Sequence, residues 1–492
     1  MALANGMDRG AAQLRLSRRV AGLLLAGTVL ASVPAFAQEQ TPADPTALTD
    51  PLALPPADGG DATPDTATTT NSVPALTDEQ QDALATAADD GAVGRVGSET
   101  ERLNAPEGSV GGARSAFGDP YEPTGIRLGS FVLRPSVSQG IGYEKTKVGS
   151  SSTSRTFSTT GFRGSLTSDW SRHQWTIDAE GVYQRNISGV GETEPELRIN
   201  SDLRLDLSGD TIANLTAGYS FERESTTDPN AINGARSTVH GFTGGARVTR
   251  DFGLIRGTIG VDLQREVYGS ATASNGTRFV MSDRNYTEGT LTGRIGYELS
   301  PALIPYLEAS VGKSIYDEKR DREGFARSSS TLGGRAGMEI DLGEKLRGDL
   351  GIGFKRATFE DRDLAAIEAV TIDGSVFWSP RRGTDLRLGL RSEIEPSTTA
   401  LESGYVTYET NAELTHELRD NLVARLSGIY TWRDFSSSAT EDQYVYQIGT
   451  GLTWNLNRWL AMTGDVSYEL TKQSGASDTG ITRAGIGLVL RR

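Results

Sequence analysis

Charged side chains recur at every second position along several stretches of this 492-residue chain: Asp178 and Glu180; Arg256 and Asp262; Arg347 and Asp349; Asp385, Arg387, Arg391 and Glu393; Glu409 and Glu413; Arg425; Asp465 and Glu469. Successive side chains of an extended strand point to opposite faces, so residues two apart share a face. Carboxylates and guanidinium groups mixed on one face can do two things. Paired between neighbouring strands they hold register, at about 0.2–1 kcal/mol a pair. Lining a wet passage, the same set creates a transverse field and sorts ions by charge. The first reading suits any single residue and the second suits the set.

The spacing gives catalysis no support. The three His are spread over the chain, with His173 at a short turn, His240 at the far end of one strand and His416 near the turn end of another. A hydrolase needs a nucleophile, a base and an orienting group within hydrogen-bond reach, and no such cluster is visible. Ser150-Ser151-Ser152 and Ser328-Ser329-Ser330 read as solvated loop. With no Cys and scattered His, neither a metal nor another cofactor is expected. The run Asp317-Glu318-Lys319-Arg320-Asp321-Arg322-Glu323 offers carboxylates for a divalent ion or for lipopolysaccharide, although mixed charge ordinarily serves to solvate a loop. Nucleic acid is not an expected partner of a chain with net charge −15.

The elements that must position these charges are strands with one apolar face. Leu460, Met462, Val466, Tyr468 and Leu470 alternate with Ala461, Thr463, Asp465, Ser467 and Glu469. Period-two segments of modest hydrophobicity, repeated from Ile126 to Arg492, predict an antiparallel up-and-down transmembrane β-barrel with lipid outside and water inside. Hydrophobic content of 36% with 58 Gly would be poor for a soluble core, but a barrel needs apolar side chains on one face only. Eighteen strands are expected (sixteen to twenty), beginning near residues 126, 157, 173, 195, 210, 236, 253, 284, 302, 328, 345, 368, 383, 405, 421, 443, 459 and 480. Short turns such as Ser208-Gly209-Asp210 and Asn457-Arg458 follow the even strands, and longer loops such as 224–235 and 269–283 follow the odd ones. An even count sets both termini on the periplasmic side with the tight turns. No loop is long enough to fill the lumen, the longest being about fifteen residues at 269–283.

Aromatic placement points the same way. Trp170, Trp175, Trp378, Trp454 and Trp459 fall beside short turns, while Tyr143, Tyr183, Tyr219, Tyr268, Tyr316, Tyr430 and Tyr444 fall toward the long loops, as interfacial girdles do.

The remainder of the chain reads differently. Residues 1–37 have the form of an export signal: Arg9, Arg15, Arg18 and Arg19, an apolar run from Val20 to Val33, then Ala35-Phe36-Ala37 as a cleavage site. Residues 38–125 are rich in Pro, Ala, Thr and Asp and carry sixteen acidic residues against three Arg, which predicts a disordered acidic periplasmic segment. Thr77-Asp78-Glu79-Gln80 matches a capping box there and opens a short helix, a candidate docking element for a periplasmic partner. The domain plan is thus signal 1–37, tail 38–125 and barrel 126–492 in the outer membrane of a Gram-negative cell. Outer-membrane lipid, lipopolysaccharide and the barrel-assembly machinery are the expected partners.

Asp119-Pro120-Tyr121-Glu122-Pro123-Thr124-Gly125-Ile126-Arg127, followed by Gly129-Ser130-Phe131 and Leu133-Arg134-Pro135, resembles the start of the "putative beta-barrel porin 2" family. Tyr306-Leu307-Glu308-Ala309 and the closing Ile481-Thr482-Arg483-Ala484-Gly485-Ile486-Gly487-Leu488 are similar to it as well. The resemblance implies a porin-type barrel without catalytic residues, and some relatives are associated with exopolysaccharide export. One departure is the end Leu490-Arg491-Arg492, where barrels usually close on an aromatic. The functional expectation is a channel for small hydrophilic solutes. The alternatives are an exopolysaccharide export conduit and a structural or adhesive barrel with a blocked lumen.

Overall fold

The computed structural model describes residues 121–189, 194–224, 229–230, 236–272, 278–399, 401–436 and 440–492. The expected signal peptide, the short helix and the acidic segment up to residue 120 lie outside the described residues.

Eighteen antiparallel strands form the wall: β1 Phe131–Val148, β2 Ser151–Ser168, β3 His173–Gly189, β4 Glu194–Ser208, β5 Thr211–Arg223, β6 Thr238–Asp251, β7 Ile255–Tyr268, β8 Tyr286–Tyr297, β9 Leu303–Tyr316, β10 Ser329–Asp341, β11 Leu346–Phe359, β12 Ile367–Arg381, β13 Thr384–Pro396, β14 Gly404–Arg419, β15 Leu422–Phe435, β16 Gln443–Asn455, β17 Leu460–Gln473 and β18 Thr479–Arg491. Each pairs with the next in sequence, and β18 pairs with β1 from Ser136↔Arg491 to Val148↔Thr479, so the sheet closes. Closure leaves no open edge and satisfies every ladder within the wall, the condition for crossing lipid with strands.

Two faces alternate along every strand. Ile295, Leu307, Leu332 and Ile486 are each about two-thirds exposed on one parity, which a soluble core would not tolerate. Between the rims the opposite parity carries the charges, and these meet across strands that are not neighbours: Arg294 on β8 reaches Asp349 on β11 at 2.6 Å. Side chains three strands apart approach only on the concave side, so the charged face is the lumen and the apolar face is the lipid side.

The short connections Gly209-Asp210, Arg382-Gly383 and Asp420-Asn421 gather at one end, the periplasmic end by the usual arrangement of such barrels. The closing residues lie there too, with Arg491 Nη2 donating to the Tyr121 carbonyl at 3.2 Å and the Arg492 amide to the Pro135 carbonyl at 3.0 Å. Trp170, Trp378, Trp454 and Trp459 are exposed at that end, and Tyr143, Tyr183, Tyr446 and Tyr468 toward the other.

Three expectations need correction. The first barrel strand starts at Phe131: Ile126–Leu128 is a separate short strand folded back on it, Ile126 opposite Leu133, through Gly129 at φ 65°. The second strand starts at Ser151, not near 157, because Gly149, at φ 56°, and Ser150 turn the chain in two residues and pairing resumes at once with Val148↔Ser151. Ser151-Ser152 are therefore strand, not loop, and Ser329-Ser330 open β10, close to its expected start near 328. Finally, Tyr268 and Tyr316 do not belong to the lipid-facing band. Tyr268 donates to Glu266 at 2.5 Å on the lumen face, and Tyr316 packs on Tyr286 at 5.5 Å between ring centres.

Candidate functional site

The lumen face is built from register. Antiparallel pairing sets Arg294 opposite Glu308 and Glu308 opposite Arg335, so one sign follows the other from strand to strand. Arg294 binds Glu308 at 2.7 Å, Glu339 at 2.8 Å and Asp349 at 2.6 Å, and its guanidinium lies 3.9 Å from the centre of the Tyr306 ring. Tyr306 donates to the other oxygen of Asp349 at 2.5 Å. Arg335 adds Glu308 at 2.9 Å, and Arg256 links Asp251 at 2.7 Å to Glu339 at 3.6 Å. This belt occupies the periplasmic half of the wall from β6 to β11.

A second belt crosses the closure of the barrel nearer the outer end. Glu469 meets Arg483 at 3.5 Å, and Arg483 meets Glu144 at 2.8 Å across the β18–β1 seam. Glu144 holds Arg155 at 2.9 Å, Arg155 holds Glu194 at 3.0 Å, and Glu194 holds Arg236 at 2.7 Å. Arg236 donates in turn to the Glu224 carbonyl. The fully buried Glu224 carboxylate accepts from the Ser237 amide at 2.7 Å and meets Arg284 at 2.6 Å. Removing one member would strand a partner's charge away from water, which costs far more than an exposed pair contributes.

All the charges singled out by parity lie on this lumen face. Glu180 pairs with Arg163 at 3.1 Å, and Asp178 stands opposite Ser165. Arg256, Asp349 and Glu469 belong to the belts just described. Asp262 is opposite Gly245 and Thr290. Arg347 lies 4.7 Å over the Phe377 ring. Arg387 binds Glu413 at 3.2 Å, and Glu413 approaches Arg425 at 4.0 Å. Arg391 binds Glu393 at 2.6 Å and is in register with Glu409. Asp385 is buried opposite Thr415, and Asp465 sits between Gly451 and Gly485. Sequence reasoning missed Glu144, Arg155, Glu194, Arg294, Glu308 and Arg335. The cross-strand pair Arg294–Glu308 was open to the same parity count, whereas Arg155 was hidden by the late start assigned to β2.

The outer mouth holds the larger surprise. Loop length alone predicts an unobstructed lumen, yet Asn230, on the loop after β5, accepts from the Thr398 amide at 3.0 Å and donates to the Pro396 carbonyl at 3.4 Å. Thr398 follows β13, which lies almost opposite β5 in the ring of eighteen, so Asn230 sits against the far rim of the mouth. From the loop after β9, Arg327 donates to the Glu402 carbonyl at 2.6 Å and the Thr399 carbonyl at 2.8 Å. Arg322 and Asp283 pair at 3.0 Å between the loops after β9 and β7. Burial disfavours ionisation of Asp283, but Arg322 outweighs it and holds the carboxyl below the usual range. Charges of the 317–323 run proposed for a divalent ion or lipopolysaccharide are largely taken up inside the protein: Asp317 by Arg265, Asp321 by Arg327, Arg320 by Asp361.

The three His stand apart, each with a local partner. His173 accepts from the Asp206 amide at 3.2 Å, His240 meets the Tyr219 hydroxyl at 3.0 Å, and His416 meets the Thr384 hydroxyl at 2.9 Å.

Among solved structures the chain is similar to the outer membrane protein opdK of Pseudomonas aeruginosa, at 10% identity and a TM-score of 0.37 over 73% of this chain and 99% of that one. It is similar to OccAB4 of Acinetobacter baumannii, at 10% identity and 0.35 over 73% and 98%. The siderophore receptor PirA of Pseudomonas aeruginosa gives 11% identity and 0.33 over 74% and 81%. No curated protein matches. The family model described as "Putative beta-barrel porin 2" matches residues 119–492, the whole of the wall just described, and the chain belongs to that family.

Proposed function

We propose that the protein is an outer-membrane channel for small hydrophilic solutes, exported by its signal peptide in a Gram-negative cell, and not an enzyme. One observation carries this reading: the inner wall of an eighteen-stranded closed barrel carries its carboxylates and guanidinium groups on the lumen face, many of them paired within the wall. Barrels of sixteen to eighteen strands leave an aqueous lumen unless something fills it. Because carboxylates and guanidinium groups neutralise one another locally, the wall favours neither sign strongly. A weak preference for cations follows from the barrel's excess of about five negative charges. Asn230, bonded to Thr398 and Pro396 on the far rim, narrows the way in, so the channel favours small solutes over polymers. That disfavours an export conduit for polysaccharide.

The test is swelling of proteoliposomes in sugars of graded size. Swelling with monosaccharides and none with larger oligosaccharides is expected. Absence of swelling with any sugar would remove the channel reading.

A further inference from the structure

The lipid side of the outer rim carries cations of two kinds. Lys313 is within 3.7 Å of Glu360, Arg356 within 3.5 Å of Glu368, and Arg265 is held by both oxygens of Asp317 at 2.5 and 2.6 Å. Lys145 and Lys147, exposed on β1, have no carboxylate partner among the described residues. Two strands along the wall, on β17, stands Lys472, whose contact with Asp478 is loose at 3.9 Å with both side chains more than half exposed.

These three lysines face one another over β18. Register sets Tyr143, Lys145 and Lys147 of β1 beside Ala484, Thr482 and Gly480 of β18, and Val466, Tyr468 and Leu470 of β17 beside the same three residues. Small side chains on the middle strand and large ones on either side make a trough at Thr482 and Ala484, and the Tyr468 ring leans over Gly480 at its outer end. Its banks are roughly 10 Å apart, two strand spacings. Its outer end is flanked by Lys145, Lys147 and Lys472. Tyr143 and Tyr468 mark the water–lipid boundary, and below them the floor continues as Ile486 and Leu488, both exposed and apolar. Its outer end is bounded by the two-residue turn after β1 and the five-residue turn 474–478 after β17, joined where the Gly149 amide donates to the Asp478 carbonyl at 3.0 Å.

We propose that this trough binds the headgroup of a phosphorylated outer-leaflet glycolipid, a lipopolysaccharide. Its phosphates sit between Lys145, Lys147 and Lys472, its sugar rests on Thr482 and the Tyr468 ring, and an acyl chain follows Ala484, Ile486 and Leu488. Lys145 and Lys147 form charge-assisted hydrogen bonds to phosphate without displacing a protein carboxylate, and Lys472 does so by giving up only its 3.9 Å contact with the exposed Asp478. The assignment depends only on the outward parity of β1, β17 and β18 and stands whether or not the lumen conducts.

The full chain, folded in detergent, is titrated with purified lipopolysaccharide, with the same lipid after enzymatic dephosphorylation, and with inorganic phosphate, following the thermal midpoint of the folded gel form. Lipopolysaccharide should raise the midpoint of the wild type, and the dephosphorylated lipid and inorganic phosphate should not. The triple change Lys145→Ala, Lys147→Ala, Lys472→Ala should weaken apparent affinity at least tenfold, the milder Lys145→Gln, Lys147→Gln pair severalfold, and Lys313→Ala with Arg356→Ala hardly at all. Equal response of the wild type and either lysine variant would overturn the proposal. So would equal binding of the dephosphorylated lipid, equal loss in the control pair, or reproduction of the effect by inorganic phosphate.

Discussion

At the scale of single residues, parity decides what a substitution meets. Ile259 and Gly260 are neighbours on β7, but Ile259 is about two-thirds exposed on the lipid side, while a Cβ added at Gly260 comes no nearer than 3.5 Å to the Arg247 guanidinium. Ile259→Glu places a carboxylate in hydrocarbon, a smaller penalty than the about 2–4 kcal/mol of a mid-membrane Arg but a clear one. Gly260→Glu gives the new carboxylate a cationic neighbour in the wet lumen. The thermal midpoint of the compact gel form should fall for Ile259→Glu and stay within about 0.5 kcal/mol of the wild type for Gly260→Glu; equal loss would mean the faces are misassigned. Gly389 is unsuitable for the same comparison, since Asn411 already occupies the space a Cβ would take. Arg294→Ala strips the shared partner from Glu308, Glu339 and Asp349 and is expected to cost about 3–5 kcal/mol in folding titrations. A loss below 1 kcal/mol would mean that water screens the belt.

At the scale of elements, what was legible followed from period two. Strands from β3 onward were readable because Leu, Ile and Tyr must face lipid at every second position. The span from Thr146 to Thr156 hid its strands because the hairpin there presents Lys147, Ser152 and Ser154 where lipid-facing strands show large apolar residues, and a hairpin outside the membrane needs no apolar face. The lumen set was legible wherever charges recurred two apart, as at Asp385 and Arg387. The contact of Asn230 with Thr398 was not, because nothing in local patterning encodes where a loop lands on the far rim. The interlocked loops carry their own pH dependence. Arg265 holds the Asp317 carboxyl below its ordinary value, as Arg322 does for Asp283 against the opposing effect of burial. Groups lowered in the folded protein contribute stability that is fully present above their unfolded values near 4 and is lost as pH falls through the lowered ones. Hydrogen exchange in residues 278–285 and 317–327 should therefore speed up below about pH 4 while that of the wall does not. Unchanged protection in these loops at pH 3 would contradict the assigned ion pairs.

At the scale of the whole molecule, closure governs both stability and transport. The β18–β1 ladder, with Arg483 bonded to Glu144 across it, leaves denaturant no edge to enter, so unheated protein should migrate apart from boiled protein on a detergent gel. Identical mobility would argue for an open sheet. The proposed transport rests on the same closure, since barrels of eighteen strands leave an aqueous lumen unless something fills it, with Asn230 set across the outer entrance. The most direct measurement is single-channel recording of the purified protein in a planar bilayer under a salt gradient. Discrete openings of small conductance are predicted, with a slight cation preference that fades as salt screens the wall and a larger conductance in Asn230→Ala. A silent membrane for both proteins, or strong anion selectivity, would contradict the account.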